Sequence, residues 1–237
     1  MVCCFFNWAT IVTDYKTAFR RSLVRPEEYW AEQATSVAWY KSPSSILGKD
    51  TNGNDAWFSD GELNSSYLAL DYHIEQGRGD QTALIYDSPV TNSTASYTYS
   101  ELRDEVATFA GVLASLSISK GDRVIIYMPM IPQAVIAMLA CARLGAIHSV
   151  VFGGFAAKEL ATRIDDATPK AILCASCGVE FSNVIAYKPL IDEALQISEH
   201  KIDHCLVYQR RESVAGMDNA WDRDWDLLLA TAEPLDP

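Results

Sequence analysis

Basic residues are scarce in this 237-residue sequence, where 19 Lys and Arg stand against 31 Asp and Glu and the net charge is −12. Nucleic-acid binding depends on neutralising phosphates and releasing their counterions, so this charge disfavours a nucleic-acid partner and, equally, an anionic membrane surface. A hydrophobic fraction of 49% supplies ample side chains for a core. The composition therefore predicts a globular protein of one large domain, or of one domain with an extension.

A secretory signal is also lacking. The opening residues, "MVCCFFNWATIVTD", have no basic segment before their apolar run and reach Asp14 early. The six cysteines, at positions 3, 4, 141, 174, 177 and 205, are irregularly spaced and do not suggest a disulfide framework. We therefore expect an intracellular protein, most simply cytoplasmic. Three arginines between residues 20 and 25 leave the mitochondrial matrix as an alternative, although nearby acidic residues weaken that signal.

Charge is absent from Val124 to Ala142, a stretch long enough to be considered as a membrane span. Pro129 and Pro132 interrupt any single helix there, and the helix expected from Gln133 to Arg143 makes only about three turns. The strands "RVIIYM" before this helix and "AIHSVVF" after it complete a βαβ unit. Because strands buried on both faces read as continuous apolar runs, the stretch is interpreted as buried core.

The alternation of helices and strands continues on both sides of this unit. Downstream, "AAKELATRIDDA" predicts a helix, "KAILCA" a strand, "PLIDEALQI" a helix and "DHCLVY" a strand. Upstream, "ALIYD" and "SYTY" predict strands, and Thr98 with Glu101 forms a capping box at the start of a helix. The pattern predicts an α/β fold with a mostly parallel sheet and flanking helices.

The first seventy or so residues have a different texture, rich in Trp, Tyr and Pro and with few periodic runs. We interpret them as a wrapping extension, and the "GRGD" turn at 77–80 is the candidate boundary. The expected division is an extension over 15–76 and an α/β domain over 77–237.

Established phosphate-binding loops are missing. Gly48-Lys49 is followed by Asp50 and lacks the first glycine of a Walker loop, and "GRGDQT" lacks the third glycine of the dinucleotide fingerprint. "FGGF", residues 152–155, lies at the carboxyl end of a predicted parallel strand, where open α/β sheets bind ligands. Both a ligand-binding loop and a simple tight turn remain open for it. The absence of a G-x-S-x-G elbow makes an unrelated α/β hydrolase a weak alternative.

Metal and catalytic constellations are weak. "CASC" at 174–177 has C-x-x-C spacing, and His200 and His204 lie four residues apart, but Cys174 falls within an apolar strand and a second closely spaced ligand pair is missing. Small buried residues are the favoured interpretation. His148 is interpreted as a core histidine or one beside a site, because no Ser-His-Asp order surrounds it. We predict no catalytic residue and no metal ligand.

Four segments together resemble a known family: "WFSDGELNSSYLALDYHIEQGRGDQTALIYDSPV", "YTYSELRDEVATFAGVL", the run 120–155, and "ELATRIDDATPKAILCASCGVEFSNVIAYKPLIDEAL". They are similar to the amino-terminal third of short-chain AMP-forming acyl-CoA synthetases, nearest to the propionyl-CoA synthetase branch and close to acetyl-CoA synthetase. The resemblance extends from about residue 15 to 237. It implies an acetyl-CoA-synthetase-type extension followed by the first part of an AMP-binding domain.

The resemblance implies a ligase with two steps. ATP and propionate or acetate form an acyl-adenylate and pyrophosphate, and CoA then attacks the adenylate to release acyl-CoA and AMP. The family's Ser/Thr/Gly-rich loop ending in P-K-G, its acidic magnesium ligand, its hinge and its carboxyl-terminal lysine are not found in this sequence. We therefore expect ATP and Mg²⁺ to be used by a complete enzyme, and this stretch alone to be inactive. The alternative is a non-catalytic, truncated product that binds CoA or a protein partner.

Part of a CoA site carries over from the family by resemblance. Phe152, Gly153, Gly154 and Phe155 correspond to the loop beside the pantetheine arm of CoA. The segment after Gly178 corresponds to the region that holds the CoA phosphates.

In that second segment this sequence departs from the pattern, and the residues assigned by resemblance are Glu180, Asn183 and Lys188. Asn183 stands where the close branch usually has arginine, so a charge-assisted phosphate contact is missing. Lys188 is a candidate replacement, although a surface lysine without a ligand is the favoured interpretation.

Overall fold

The structure, a computed structural model, describes residues 14–237. Cys3, Cys4 and most of the segment tested for a secretory signal lie outside these residues. Contacts divide the chain into two units with a boundary between Leu63 and Asn64. This boundary lies upstream of the sequence-based one at residues 76 and 77, because the short helices after Asn64 contact the second unit and Leu70 is part of its core.

The first unit consists of two helices and a small antiparallel hairpin. Its elements are α1 (Tyr15–Val24), α2 (Pro26–Ala34), β1 (Leu47–Lys49) and β2 (Asp55–Trp57). None of its described residues, 14–63, is fully buried. Aromatic contacts hold it together instead: the ring centroids of Trp39 and Phe58 are 5.7 Å apart, and those of Trp30 and Trp57 are 6.4 Å apart.

The second unit has α/β architecture, which confirms the predicted fold class. After the short helices α3 (Ser65–Ala69) and α4 (Asp71–His73) and a π-helical turn (Ile74–Arg78), its elements are β3 (Thr82–Ser88), β4 (Ser93–Thr98), α5 (Tyr99–Ser115), β5 (Arg123–Met128), α6 (Pro132–Leu144), β6 (Ile147–Phe152), α7 (Ala157–Ala167), β7 (Ala171–Ala175), β8 (Cys177–Glu180), β9 (Asn183–Ala186), α8 (Lys188–Ile197), β10 (His204–Tyr208), β11 (Asp222–Asp224) and α9 (Trp225–Leu229).

A five-stranded parallel sheet organises this unit, in the order β11-β10-β7-β5-β6. The pairs β3–β4 and β8–β9 form separate antiparallel hairpins. Side chains of β5 alternate between two cores: Val124, Ile126 and Met128 pack with α5 and α6, whereas Ile125 and Tyr127 pack with α7 and α8. The sheet is therefore the middle layer of three.

Local sequence explains where α5 and α6 begin and end. The predicted capping box is confirmed, because the Glu101 backbone N–H donates to Thr98 Oγ1 and the Glu101 carboxylate accepts from the Thr98 N–H. Helix α6 begins with Pro132 and ends at Gly145, whose φ of 72° suits glycine. No helix between residues 14 and 237 is both long and apolar enough to cross a membrane.

Strand β6 was predicted to be buried on both faces, and this prediction was wrong. Its only partner among the described residues is β5, so it lies at the edge of the sheet. Ile147, Val150 and Phe152 are exposed, and Val151 is its one fully buried residue. His148 is exposed as well, which excludes the core histidine but not the second interpretation given for it, a histidine beside a site. An apolar run specifies a strand but not its place in the sheet.

Candidate functional site

A cavity of about 270 Å³ opens at the carboxyl ends of the parallel strands. Met128 at the end of β5, Phe152 and Gly153 at the end of β6, and Arg210 after β10 contribute to its wall. The hairpin β8–β9 contributes Glu180. The cavity therefore lies where open parallel sheets bind ligands.

The loop Phe152–Phe155 forms one side of this region. Phe152 is 69% exposed, and its ring makes an edge contact with that of Phe155 at 6.0 Å between centroids. Gly153 is buried, and Gly154 has a φ of 113°, a conformation that residues with a side chain rarely adopt. The Gly154 N–H donates to Tyr127 Oη at 3.1 Å, and the Tyr127 hydroxyl donates to the Phe155 carbonyl at 2.9 Å. The loop is thus held in position by two hydrogen bonds with the Tyr127 hydroxyl.

The hairpin β8–β9 lies beside this loop. A Cβ at Gly154 would lie 3.1 Å from Glu180 Oε1, which places the Glu180 carboxylate against the loop. At the hairpin tip, Phe181 is 94% exposed with a φ of 54°, and Asn183 is exposed at the start of β9. The structure therefore places Glu180 beside the glycine loop, whereas Asn183, in the same hairpin, is exposed to solvent.

Lys188 lies elsewhere than expected. It is 2% exposed rather than on the surface, and its Nζ lies 2.6 Å from Asp192 and 3.0 Å from Asp222. Burial lowers the pKa of Lys188, but the hydrogen bonds that its ammonium donates to both carboxylates outweigh burial and leave the pKa above its ordinary value. The ammonium lies between two carboxylates that offset its charge, and its side chain is 3% exposed; both features disfavour phosphate binding.

Arg210 is a cavity residue that sequence reasoning missed. It is 9% exposed, its Nη1 donates to the Cys177 carbonyl at 3.1 Å, and its backbone N–H donates to Ser176 Oγ at 2.8 Å. Its Nε lies 3.5 Å from the Glu212 carboxylate. Its position two residues after strand β10, at the carboxyl edge of the sheet, was the available signal. Arg210 brings a positive charge into a wall that otherwise carries the Glu180 carboxylate.

Tyr187 was also missed, although it lies at the centre of this region. Burial, followed by the neighbouring Tyr127 and Glu180, raises the pKa of Tyr187 to about 12. Burial also raises the pKa of Tyr127. Both hydroxyls therefore stay protonated at neutral pH and can serve as neutral hydrogen-bonding groups.

The cysteines and histidines considered above do not assemble around this cavity. Cys174 and Cys205 are buried in β7 and β10, with their sulfur atoms 3.9 Å apart. The His200 ring lies 2.8 Å from the Pro169 carbonyl oxygen. Within residues 14–237 there is no cluster of three or more His, Cys, Asp or Glu side chains placed to bind a metal.

Two protein-family models match the chain. The family model described as AMP-binding enzyme matches residues 71–237, which is most of the chain. The chain belongs to the AMP-binding enzyme family. Residues 15–69 of the chain match a second model, described as acetyl-coenzyme A synthetase N-terminus.

Among the individual relatives of the chain are proteins named as short-chain acyl-CoA synthetases, the group that the sequence resembles. An uncharacterized protein of Pseudomonas aeruginosa is 60% identical over 94% of this chain and 36% of its own length. The mitochondrial acyl-CoA synthetase short-chain family member 3 of Bos taurus is 48% identical over 94% of this chain and 33% of its own.

A solved structure has a closely similar fold. Acetoacetyl-CoA synthetase from Streptomyces lividans matches with a TM-score of 0.81 and 26% identity, over 94% of this chain and 34% of that one. The chain thus spans about a third of the length of the proteins it matches.

Proposed function

We propose that this chain is part of an AMP-forming short-chain acyl-CoA synthetase that converts propionate or acetate, ATP and CoA to acyl-CoA, AMP and pyrophosphate. The observation that carries the proposal is the glycine loop 152–155 on the rim of a cavity at the carboxyl end of a parallel sheet, in a member of the AMP-binding family. The Bos taurus relative is a short-chain acyl-CoA synthetase by name, which supports a small acid as substrate.

In this proposal the chain contributes one wall of the CoA site. Gly154 is exposed and has no Cβ, so it lets the backbone approach the narrow pantetheine arm, whereas the missing Cβ of the buried Gly153 makes room for Tyr187. Phe152 and Phe155 flank them with apolar surface. The hairpin bearing Glu180 and Asn183 faces the phosphate-bearing end of CoA.

The electrostatics of that hairpin predict weak phosphate binding. Glu180 carries a charge of the same sign as a phosphate, Asn183 is neutral, and Lys188 is neutralised by Asp192 and Asp222. A charge-assisted contact contributes more than a neutral hydrogen bond, and this hairpin supplies none. We infer that most of the affinity for the CoA nucleotide comes from other parts of the enzyme.

ATP and Mg²⁺ are substrates of the complete enzyme in this proposal, and the residues described here do not fit them. A triphosphate requires glycine-rich backbone donors, lysine and a metal to offset its charge. The P-K-G loop is not part of the sequence, and residues 14–237 bring no metal-binding cluster together. We therefore expect no pyrophosphate exchange with propionate or acetate from this chain alone, and activity above a blank without protein would contradict that.

The proposed partners are small molecules, because a net charge of −12 disfavours nucleic acid and anionic membranes. The proposed location is intracellular, in the cytoplasm. The mitochondrial matrix is the alternative, since the bovine relative is mitochondrial by name.

The decisive experiment restores the missing charge. Asn183→Arg is expected to lower the Kd of CoA about tenfold, which corresponds to about 1.4 kcal/mol, as measured by titration calorimetry on the chain and as the KM of CoA in a full-length enzyme. Gln196→Arg adds the same charge on the exposed face of α8 and serves as the control. An equal gain in both variants would show a general charge effect and would contradict the proposed position of the phosphates.

A further inference from the structure

Two buried tyrosines connect the two halves of the proposed CoA site. Tyr127 extends from the end of β5 and Tyr187 immediately precedes α8, and their rings meet edge to face with centroids 5.0 Å apart at 62°. The Tyr127 hydroxyl accepts from the Gly154 N–H and donates to the Phe155 carbonyl. One hydroxyl therefore satisfies a donor and an acceptor of the same loop.

Tyr187 touches both the loop and the neighbouring hairpin through glycines. A Cβ at Gly153 would lie 2.6 Å from Tyr187 Oη, closer than real Cβ contacts come. A Cβ at Gly178, in β8, would also overlap the Tyr187 hydroxyl. The lack of a side chain at each glycine is what allows the phenol to fill the space between the loop and the hairpin.

This contact makes the position of the loop depend on that of the hairpin. Gly154 has a φ of 113°, one of several backbone conformations open to glycine, so surrounding contacts must select it. The contacts that hold it are the hydrogen bonds to Tyr127, whose ring in turn packs on Tyr187. Movement of either tyrosine would therefore change the positions of both the loop and the hairpin.

We propose that Tyr127 and Tyr187 are positioning residues that hold the glycine loop and the phosphate-side hairpin in one fixed arrangement, so that CoA binds to a preformed site. The CoA part of this inference rests on the proposed function. A preformed site avoids the entropic cost of ordering a loop on binding and keeps the thiol of CoA in a productive position.

The first test measures the loop itself and needs no ligand. Tyr127→Phe keeps the ring but removes both hydrogen bonds, so amide hydrogen exchange of Gly154, followed by NMR, is expected to accelerate about fivefold or more. Tyr97→Phe, in strand β4, removes a hydroxyl for which the described part of the chain shows no hydrogen bond, and should leave Gly154 unchanged. Unchanged exchange in Tyr127→Phe would overturn the positioning role.

A second variant reaches the same loop from the other tyrosine. Gly153→Ala leaves Tyr127 intact but places a methyl group against Tyr187 Oη, so exchange is expected to accelerate at Gly154 and also at the hairpin amides of Val179 and Glu180. Acceleration confined to residue 153 and its chain neighbours, with the hairpin amides of Val179 and Glu180 unaffected, would overturn the coupling between loop and hairpin.

The third test links position to function in the full-length enzyme. Tyr127→Phe is expected to raise the KM of CoA severalfold while pyrophosphate exchange, which precedes CoA, keeps its rate. A faster Gly154 exchange with an unchanged KM would overturn the link to CoA. A wild-type enzyme that forms adenylate without using CoA would overturn the proposed function and the CoA part of this inference, while the Gly154 measurement would still decide whether the tyrosines position the loop.

Discussion

Arg143, the one charged residue between 124 and 155, carries the strongest stability prediction. Its side chain is 1% exposed in helix α6, and its guanidinium forms a two-pronged pair with Asp71, with Nη1–Oδ2 at 2.7 Å and Nη2–Oδ1 at 3.0 Å. Its Nε donates to the Leu235 carbonyl at 2.6 Å. Asp71→Ala would remove the only carboxylate that the described residues place on this buried cation.

The size of the effect follows from burial. Breaking a buried ion pair by removing one partner costs about 3–5 kcal/mol, because the remaining charge is left uncompensated. A single domain has a total stability of about 5–15 kcal/mol, so Asp71→Ala should consume a large share of it. We expect the midpoint of urea unfolding to fall strongly with little change in slope.

Two further variants make this prediction sharp. Adding Arg143→Met to Asp71→Ala removes the guanidinium charge that the single variant leaves buried without a carboxylate. The double variant should therefore be more stable than Asp71→Ala alone. Asp104→Ala breaks an exposed pair with Arg103 and should cost less than about 1 kcal/mol. A cost below about 1 kcal/mol for Asp71→Ala would refute the reasoning and show that water or rearrangement compensates the guanidinium.

Three other predictions concern pH, association and the glycine loop. The hydrogen bond from Lys170, together with the Ser119 N–H, lowers the pKa of Asp122 to about 2. The Asp122 carboxylate should therefore stabilise the folded chain above the ordinary pKa of 3.8, and this contribution should disappear as pH falls towards 2. In urea unfolding, Asp122→Asn should be about 1 kcal/mol less stable than the wild type at pH 7, with a difference that shrinks below pH 4; a difference independent of pH would count against this. Because β6 is an uncharged apolar edge strand, the chain should self-associate as its concentration rises in sedimentation experiments. Val150→Lys, in β6, should reduce this self-association, whereas Val214→Lys, outside the strands, should not. A wild-type chain that stays monomeric would argue against association through the edge of β6. Gly154→Leu in the full-length enzyme should spare pyrophosphate exchange but lower thioester formation by orders of magnitude, and equal loss of both would show that the glycine has only a structural role.

Features that depend on neighbours in sequence were predictable. The capping box at Thr98 and Glu101 follows from a few adjacent residues and is present, and helix α6 begins at Pro132, one residue before the expected start at Gln133. Alternating apolar runs and helical periodicity likewise predicted the order of elements from β3 to β10, except for the hairpin β8–β9, and they did not predict β11 or α9. Local patterns carry this information because backbone conformation is decided within one or two turns.

Features that depend on residues far apart in sequence were not predictable. Lys188 reads as a surface lysine until Asp222, from the strand after β10, is placed beside it. The edge position of β6 depends on which strands pair, and Tyr187 becomes a central residue only when Gly153 and Gly178 converge on it. The family resemblance pointed to the loop 152–155 but not to Tyr127 and Tyr187, which contact it.

The alternation along β5 limits how this segment can change in evolution. Met128 faces the core formed with α5 and α6, whereas its neighbour Tyr127 faces the core formed with α7 and α8 and holds the glycine loop. Insertion or deletion of a single residue within β5 would turn every following side chain to the opposite face, taking the Tyr127 hydroxyl away from Gly154. Substitutions at these positions can be accepted one at a time, but a change in length cannot, so strand β5 should keep a constant number of residues wherever the loop keeps its glycines.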